Sequence, residues 1–320
     1  MEPVVGIDVS KKTFDVALLR GEKPRSGKFK NTPEGFAMFE RWLKKEGAEG
    51  IRVCMEATGT YGEKLAEYLY EAGYVVSVVN PAKIKGFAQS ELTRTKTDKA
   101  DAALIARFCR AMRPEPWQPA PPEVKELQSL VRRLDSLTMM LNQETNRLDV
   151  TDGVARDSIE RTISHLNKEI ATTRRLIKKH IDQHPDLKSK RDLLESIPGI
   201  GPATSAMILG EFGDIDRFQN AKCMASFCGL APRHRQSGSS VRGKTILSKT
   251  GSSRIRKALF MPALSAIKYN PVIQAFRARL IASGKPRMVI VGAIMRKLIH
   301  IVYAVLKSRR PFNPAIGAAA

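Results

Sequence analysis

The chain has 320 residues and carries 54 Lys and Arg against 32 Asp and Glu, a formal charge of +22 with a pI near 10.1. That length gives room for roughly two domains, each able to bury a core. The surplus runs from Lys11 to Arg310, which excludes one basic tail on a neutral protein and points to an extended polyanion, DNA or RNA, rather than to a generically basic protein.

From Val4 to about Arg110 short β-rich runs alternate with helical ones, the pattern of an α/β domain. Met1-Glu2-Pro3 lacks the basic start of a secretory signal, and Val4, Val5 and Ile7 are too few for its apolar core, so a cytoplasmic protein is expected. Val4 to Val9 predicts a first strand. Thr13 to Leu19 predicts a second, with Phe14, Val16 and Leu18 alternating, and Lys28 to Lys30 closes a meander. Thr32-Pro33 opens a helix carrying Phe36, Phe39 and Leu43. Strand Ile51 to Glu56, helix Gly62 to Ala72 and strand Tyr74 to Val79 follow. The order β-β-β-α-β-α-β-α is that of the RNase H-like fold; periodicity alone also permits other α/β folds, so the carboxylates must decide.

Residues 113–122 hold five prolines and form a linker that ends this first domain, residues 1–112. Beyond it Leu127, Leu134, Leu141 and Leu148 recur every seven residues with Leu130 and Leu137 between them, and Ile159, Ile163, Leu166, Ile170 and Ile177 repeat the spacing. Two long helices are therefore expected over 123–190, an antiparallel hairpin or coiled coil turning near Thr151-Asp152-Gly153 and serving as a dimerisation arm. Here His180 and His184 fall four apart; without a third ligand they read as surface histidines. Residues 191–320 predict a mainly α-helical C-terminal domain. Its stretch from Met288 to Leu306, interrupted by Arg296, Lys297 and His300, reads as a soluble amphipathic helix, so no membrane partner is expected. Cys54, Cys109, Cys223 and Cys228 lack zinc or disulfide spacing and read as reduced, buried thiols.

Asp8 sits between Ile7 and Val9, where an unpaired carboxylate is costly to desolvate. Glu56 ends a second apolar strand before the turn Ala57-Thr58-Gly59-Thr60-Tyr61, at the sheet's carboxyl edge. Asp98 and Asp101 are three apart, on one face of a helix. If that helix packs beside the first strand, four carboxylates converge, and their repulsion calls for Mg²⁺ or Mn²⁺. Two such ions stabilise both the attacking and the leaving oxygen of a phosphoryl displacement. Taken singly, each acid is an ordinary cap or ion-pair partner, as Asp98 after Thr97 could be.

Leu194 to Ala206 matches a helix-hairpin-helix, in which the turn through Gly199 and Gly201 offers backbone N–H groups to a DNA phosphate. Next comes Phe227 to Lys244, where Ser237-Gly238-Ser239-Ser240 is framed by Arg233, Arg235, Arg242 and Lys244. A serine oxygen there would meet a phosphodiester whose charge is already neutralised. Arg254, Arg256 and Lys257 extend the basic surface as backbone contacts.

Together Gly6-Ile7-Asp8, Glu56 to Tyr61, Asn80-Pro81-Ala82, Lys96-Thr97-Asp98 with Asp101, Ile197 to Gly201 and Ser237 to Gly243 resemble the DEDD transposases of insertion sequences, described as bridge-RNA-guided recombinases. The resemblance spans nearly the whole chain. It implies a RuvC-like N-terminal domain in which Asp8, Glu56, Asp98 and Asp101 bind metal, and a C-terminal domain in which Ser237 is the nucleophile of a phosphoserine link to DNA. It further implies a structured guide RNA that pairs with donor and target DNA, and dimers that assemble into tetramers. The choice of Ser237 over Ser239 and Ser240 comes from the resemblance. Two alternatives stand beside it: a hydrolytic or junction-resolving nuclease that activates water and needs no serine, and a non-enzymatic DNA-architectural or RNA-binding protein.

Overall fold

The computed structural model describes residues 2–21, 23–57, 59–91, 97–233, 236–237, 241–242 and 246–317, with the backbone alone at 236–237, 241–242 and 316–317. The chain divides into two compact units, Met1–Pro119 and Ala120–Ala320.

The first unit is built on strands β1 (Val4–Val9), β2 (Thr13–Leu19), β3 (Arg25–Lys30), β4 (Arg52–Glu56) and β5 (Val75–Val79). Their order is β3-β2-β1-β4-β5; β1, β2 and β3 run antiparallel, and β4 and β5 lie parallel to β1. This is the mixed sheet anticipated for an RNase H-like domain. Helices α1 (Pro33–Lys45), α2 (Glu63–Glu71), α3 (Pro81–Ser90) and α4 (Asp98–Met112) cover it. Thr32 and Thr97 cap α1 and α4 by accepting from Gly35 N and Ala100 N, and Asn80 caps α3 by accepting from Ala82 N.

Side chains alternate across the strands, so the sheet has two cores. On one face Val5, Ile7, Phe14, Val16, Val53 and Met55 pack with Phe36, Phe39 and Leu43 of α1 and Leu65 and Leu69 of α2. Phe14, Phe29, Phe36, Phe39 and Trp42 form a chain of ring contacts there. On the other face Val4, Ala17, Leu19 and Cys54 meet Ile84 of α3 and Ala102, Ile105, Ala106 and Cys109 of α4. Gly6 lets α4 approach: a Cβ at this position would lie 2.2 Å from both the Ala102 oxygen and the Ala106 nitrogen. The proline-rich stretch begins along the parallel edge, where Trp117 N donates to Val76 O at 2.7 Å and Arg52 donates to Pro114 O at 2.8 Å.

The second unit begins with α5 (Pro122–Leu148) and α6 (Val154–Gln183), which pack as a hairpin turned at Gly153, a glycine with φ +68°. Leu137, Leu166 and Ile170 fill the outer part of its seam, while Leu127, Val131, Ile177 and Ile181 at its root join the main core. Next come α7 (Pro185–Glu195), α8 (Pro202–Phe212), a 3₁₀ turn at Ile215–Arg217 and α9 (Ala221–Phe227). Four two-residue strands follow: β6 (Pro232–Arg233), β7 (Gln236–Ser237), β8 (Val241–Arg242) and β9 (Ile246–Leu247). The unit closes with α10 (Ser253–Ala258), α11 (Phe260–Tyr269), α12 (Pro271–Ala282), α13 (Arg287–Ser308) and α14 (Pro314–Gly317).

By length and composition α13 could cross a membrane, but it packs against α7, α9, α11 and α12, and 61% of its apolar window is buried, as in a core helix. Two expectations are corrected here. His180 is buried, its Nε2 2.7 Å from Glu123 O, so it ties α6 to α5 instead of lying on the surface. Cys223 is exposed on α9, unlike Cys54, Cys109 and Cys228, because the helix turns that position away from the Met224 and Ala225 side that enters the core.

Candidate active site

Strand register assembles the acidic residues of the first unit. Asp8 pairs with Asp15 across β1 and β2, and Asp15 pairs with Lys28 across β2 and β3. On the other side Ile7 pairs with Met55, so Glu56 lies one step further along β4 beside Asp8. Paired residues share a face, so Glu56, Asp8, Asp15 and Lys28 form one row across four strands. This is the face on which α4 docks through Gly6, two residues before Asp8. The first turn of α4 carries Asp98 and Asp101, where the helix's N-terminal partial charge favours acids.

Asp8 feels the charge of the other acids. The Asp8 carboxyl is pushed up to about 6, first by burial and then by the negative charges of Asp101, Asp98, Glu56 and Asp15. Lys28 stands against the cluster, its Nζ 3.1 Å from Asp15 Oδ2 and 3.9 Å from Asp98 Oδ2. Among the described residues no three His, Cys, Asp or Glu side chains form a group already set to hold a metal ion. The acids neighbour one another without closing into a cage, as mutually repelling carboxylates should. Their donor set is oxygen alone, which fits a hard divalent cation, and a cation is what would relieve the strain on Asp8.

In the second unit, β6 and β9 pair antiparallel and form a stem, helped by Ser248 N donating to Ala231 O at 2.9 Å. Within the same segment β7 pairs with β8, and the backbone of Ser237 stands opposite that of Val241. Arg235, Ser239, Ser240 and Lys244 lie outside the described residues, as do the side chains of Ser237 and Arg242. Both ends of the segment are anchored. Arg256 Nη1 donates to Cys228 O at 3.3 Å and Lys249 O at 3.4 Å, and Ser252 N donates to Phe227 O at 2.8 Å. Leu247 of the stem packs at Gly292 of α13, where an added Cβ would come within 3.1 Å of its Cδ1. Arg233 is exposed at the stem. Arg254 is half-engaged, 3.5 Å from Glu211 and 3.8 Å from Asp135, and Lys257 is exposed on α10.

The expected hairpin motif falls between α7 and α8. Gly199 has φ +105°, and a Cβ there would meet Ala266 of α11 at 2.7 Å, so its glycine serves both the turn and the packing. Gly201 precedes α8 with open space around it and no side chain capping the helix. Ser205 Oγ donates to Glu195 Oε1 at 2.8 Å and braces the two helices.

Comparison with known proteins is decisive. Residues 5–151 match a transposase family model, and residues 191–278 match a second model described as the transposase IS116/IS110/IS902 family. The pilin gene-inverting protein of Moraxella bovis is 36% identical over 316 residues, 98% of each chain. The chain belongs to this transposase family. As a transposase it is an enzyme that cuts and joins DNA. An insertion element IS110 protein of Streptomyces coelicolor is 30% identical over 115 residues, 36% of this transposase and 28% of that chain. RuvC of Thermus thermophilus in complex with a Holliday junction covers 37% of the transposase and all of its own chain, at 17% identity and a TM-score of 0.27, too low to add to the topology described above.

Sequence reasoning missed two side chains in the row of the transposase. Asp15 looks like the ordinary polar position of an alternating strand, and Lys28 like part of a polar edge. Only the three-strand register places them beside Asp8. The signal available was the Thr13-Phe14-Asp15-Val16 alternation, which sets Asp15 on the face opposite Phe14.

Proposed function

We propose that the protein is an RNA-guided recombinase of an insertion sequence that exchanges DNA strands through a phosphoserine intermediate. The observation that carries this is the gathering of Asp8, Glu56, Asp98 and Asp101 on one face of an RNase H-like sheet, in a chain belonging to a transposase family. Those four carboxylates would hold Mg²⁺ or Mn²⁺, which supplies charge neutralisation at the scissile phosphate.

The chain's own residues supply the rest. Ser237 Oγ attacks phosphorus, the new Oγ–P bond forms as the bond to the departing sugar oxygen breaks, and the proton given up by the serine is balanced by one taken up by that oxygen, which leaves as a hydroxyl. One phosphodiester is exchanged for another, so the bond energy is kept and a hydroxyl of the incoming strand can reverse the step. Arg233, Arg235, Arg242 and Lys244 neutralise the backbone around the serine, and Arg254 and Lys257 make further backbone contacts. Gly201 at the open end of α8 donates its backbone N–H to a phosphate, from a turn that Gly199 makes possible. Arg256 anchors the serine segment, its Nη1 donating to Cys228 O and Lys249 O. Donor and target duplexes and a structured guide RNA are the partners. Pairing by the RNA leaves the protein to hold backbone and shape, as a +22 chain suits. The α5–α6 hairpin, with Met139, Met140 and Leu176 exposed along it, serves as the dimerisation arm of a cytoplasmic tetramer.

Trapping the intermediate tests this. With donor DNA, guide RNA and Mg²⁺, the wild-type protein gives a covalent adduct that survives denaturing electrophoresis, and Ser237→Ala gives none while still binding RNA. Adduct persisting in Ser237→Ala rejects this serine. Free 5′-phosphate ends with no adduct from the wild type would establish the hydrolytic alternative instead.

A further inference from the structure

We infer that Lys28 is a phosphate-binding residue of the carboxylate site: held in place by Asp15, its ammonium receives a non-bridging oxygen of the DNA phosphodiester brought to the cluster. This rests on the proposed use of that cluster for DNA strand exchange.

Register fixes the position of Lys28. It stands two strands from Asp8, on the same sheet face, with Asp15 between them. An ammonium has three hydrogens to donate. Asp15 Oδ2, at 3.1 Å, takes one, and Asp98 Oδ2, at 3.9 Å, is beyond hydrogen-bond reach, so donor capacity is left over. The side chain is 55% exposed, with the unspent donors open to solvent on the rim of the cluster. Asp15, by contrast, is 15% exposed and fixed between β1 and β3. It acts as a holder, keeping a long and otherwise mobile lysine in one place.

Charge supplies the reason for such a group. A phosphodiester approaching Asp8, Asp15, Glu56, Asp98 and Asp101 meets five carboxylates. Two divalent cations would neutralise four of them, and Lys28 accounts for the fifth.

The test uses the full-length protein and separates metal from phosphate. Binding of Mn²⁺ alone is measured by calorimetry, and binding of a linear DNA duplex is measured with and without Ca²⁺, chosen to occupy the site without supporting cleavage. The wild type should gain about tenfold in duplex affinity from Ca²⁺. Lys28→Met should bind Mn²⁺ at least as tightly as wild type, because a competing cation has gone, yet keep less than about twofold of the Ca²⁺-dependent gain in DNA affinity. Lys28→Arg, which keeps the charge and folds on the same exposed edge strand, should recover part of the gain. A Lys28→Met protein that melts as wild type and retains the full gain overturns the assignment. A wild type that binds neither Mn²⁺ nor DNA in a Ca²⁺-dependent way overturns the use of the cluster itself.

Discussion

The two functional regions are held by different means. In the first unit, Asp8, Asp15, Glu56 and Lys28 are set by the register of long paired strands, and Asp98 and Asp101 by a helix seated on Gly6; burial on both sheet faces makes a slip of register costly. In the second unit the serine lies in two-residue strands whose ends are tied by backbone hydrogen bonds, by Leu247 against α13 and by one guanidinium. The acidic residues of the candidate site thus sit at a spacing that strand register enforces. The proposed nucleophile sits on a segment held at its two ends.

The largest effect that would break this contrast is Gly6→Val. The new side chain collides with backbone of α4 at Ala102 and Ala106, where no rotamer can relieve it. Unit stability should fall by about 3 kcal/mol or more, with Mn²⁺ binding lost, as read by urea unfolding and calorimetry. Wild-type stability and metal binding would show that α4 is not docked through Gly6. Arg256→Gln should have a narrower effect. Loss of the clamp on Cys228 O and Lys249 O should slow strand exchange about tenfold, while nucleic-acid affinity stays within about twofold. A loss of affinity and of salt dependence instead would make Arg256 a phosphate contact.

Acidity sharpens the first half of the comparison. Asp8 is held at about 6, above its unfolded value of 3.8, so its contribution to stability is fully present below the unfolded value and is lost as pH rises through about 6. In EDTA the domain should therefore lose stability between about pH 4 and pH 7. Mn²⁺ affinity should fall about tenfold per pH unit below about 6, and Asp8→Asn should remove that stability trend. The smallest effect belongs to Asp101→Asn. Without metal, removing one like charge should stabilise the protein by about 0.5–1 kcal/mol, and with Mn²⁺ the variant should be the less stable of the two. Destabilisation in EDTA would mean that Asp101 has a structural partner.

Much of the first unit was legible because its signals are local. The Phe14, Val16, Leu18 alternation and the Thr32 and Asn80-Pro81 signatures act within a few residues, and Asp8 and Glu56 stand out as acids in apolar runs. Asp15 and Lys28 were not legible, since each becomes significant only through a partner strand. The start of β3 at Arg25 was hidden for a related reason: an edge strand with one solvated face and Gly27 within it lacks the apolar alternation that marks β2. In the second unit the heptads announced α5 and α6, but a four-residue histidine spacing does not say which side of α6 faces Glu123, and a thiol's burial depends on how a seven-residue helix is turned.

Anomalous diffraction from crystals of the full chain grown with Mn²⁺ addresses the central claim most directly. A manganese peak bounded by the carboxylates of Asp8, Glu56, Asp98 and Asp101 is the predicted result. Fully occupied manganese bound elsewhere, with that sheet face bare and the four acids turned apart, would contradict it.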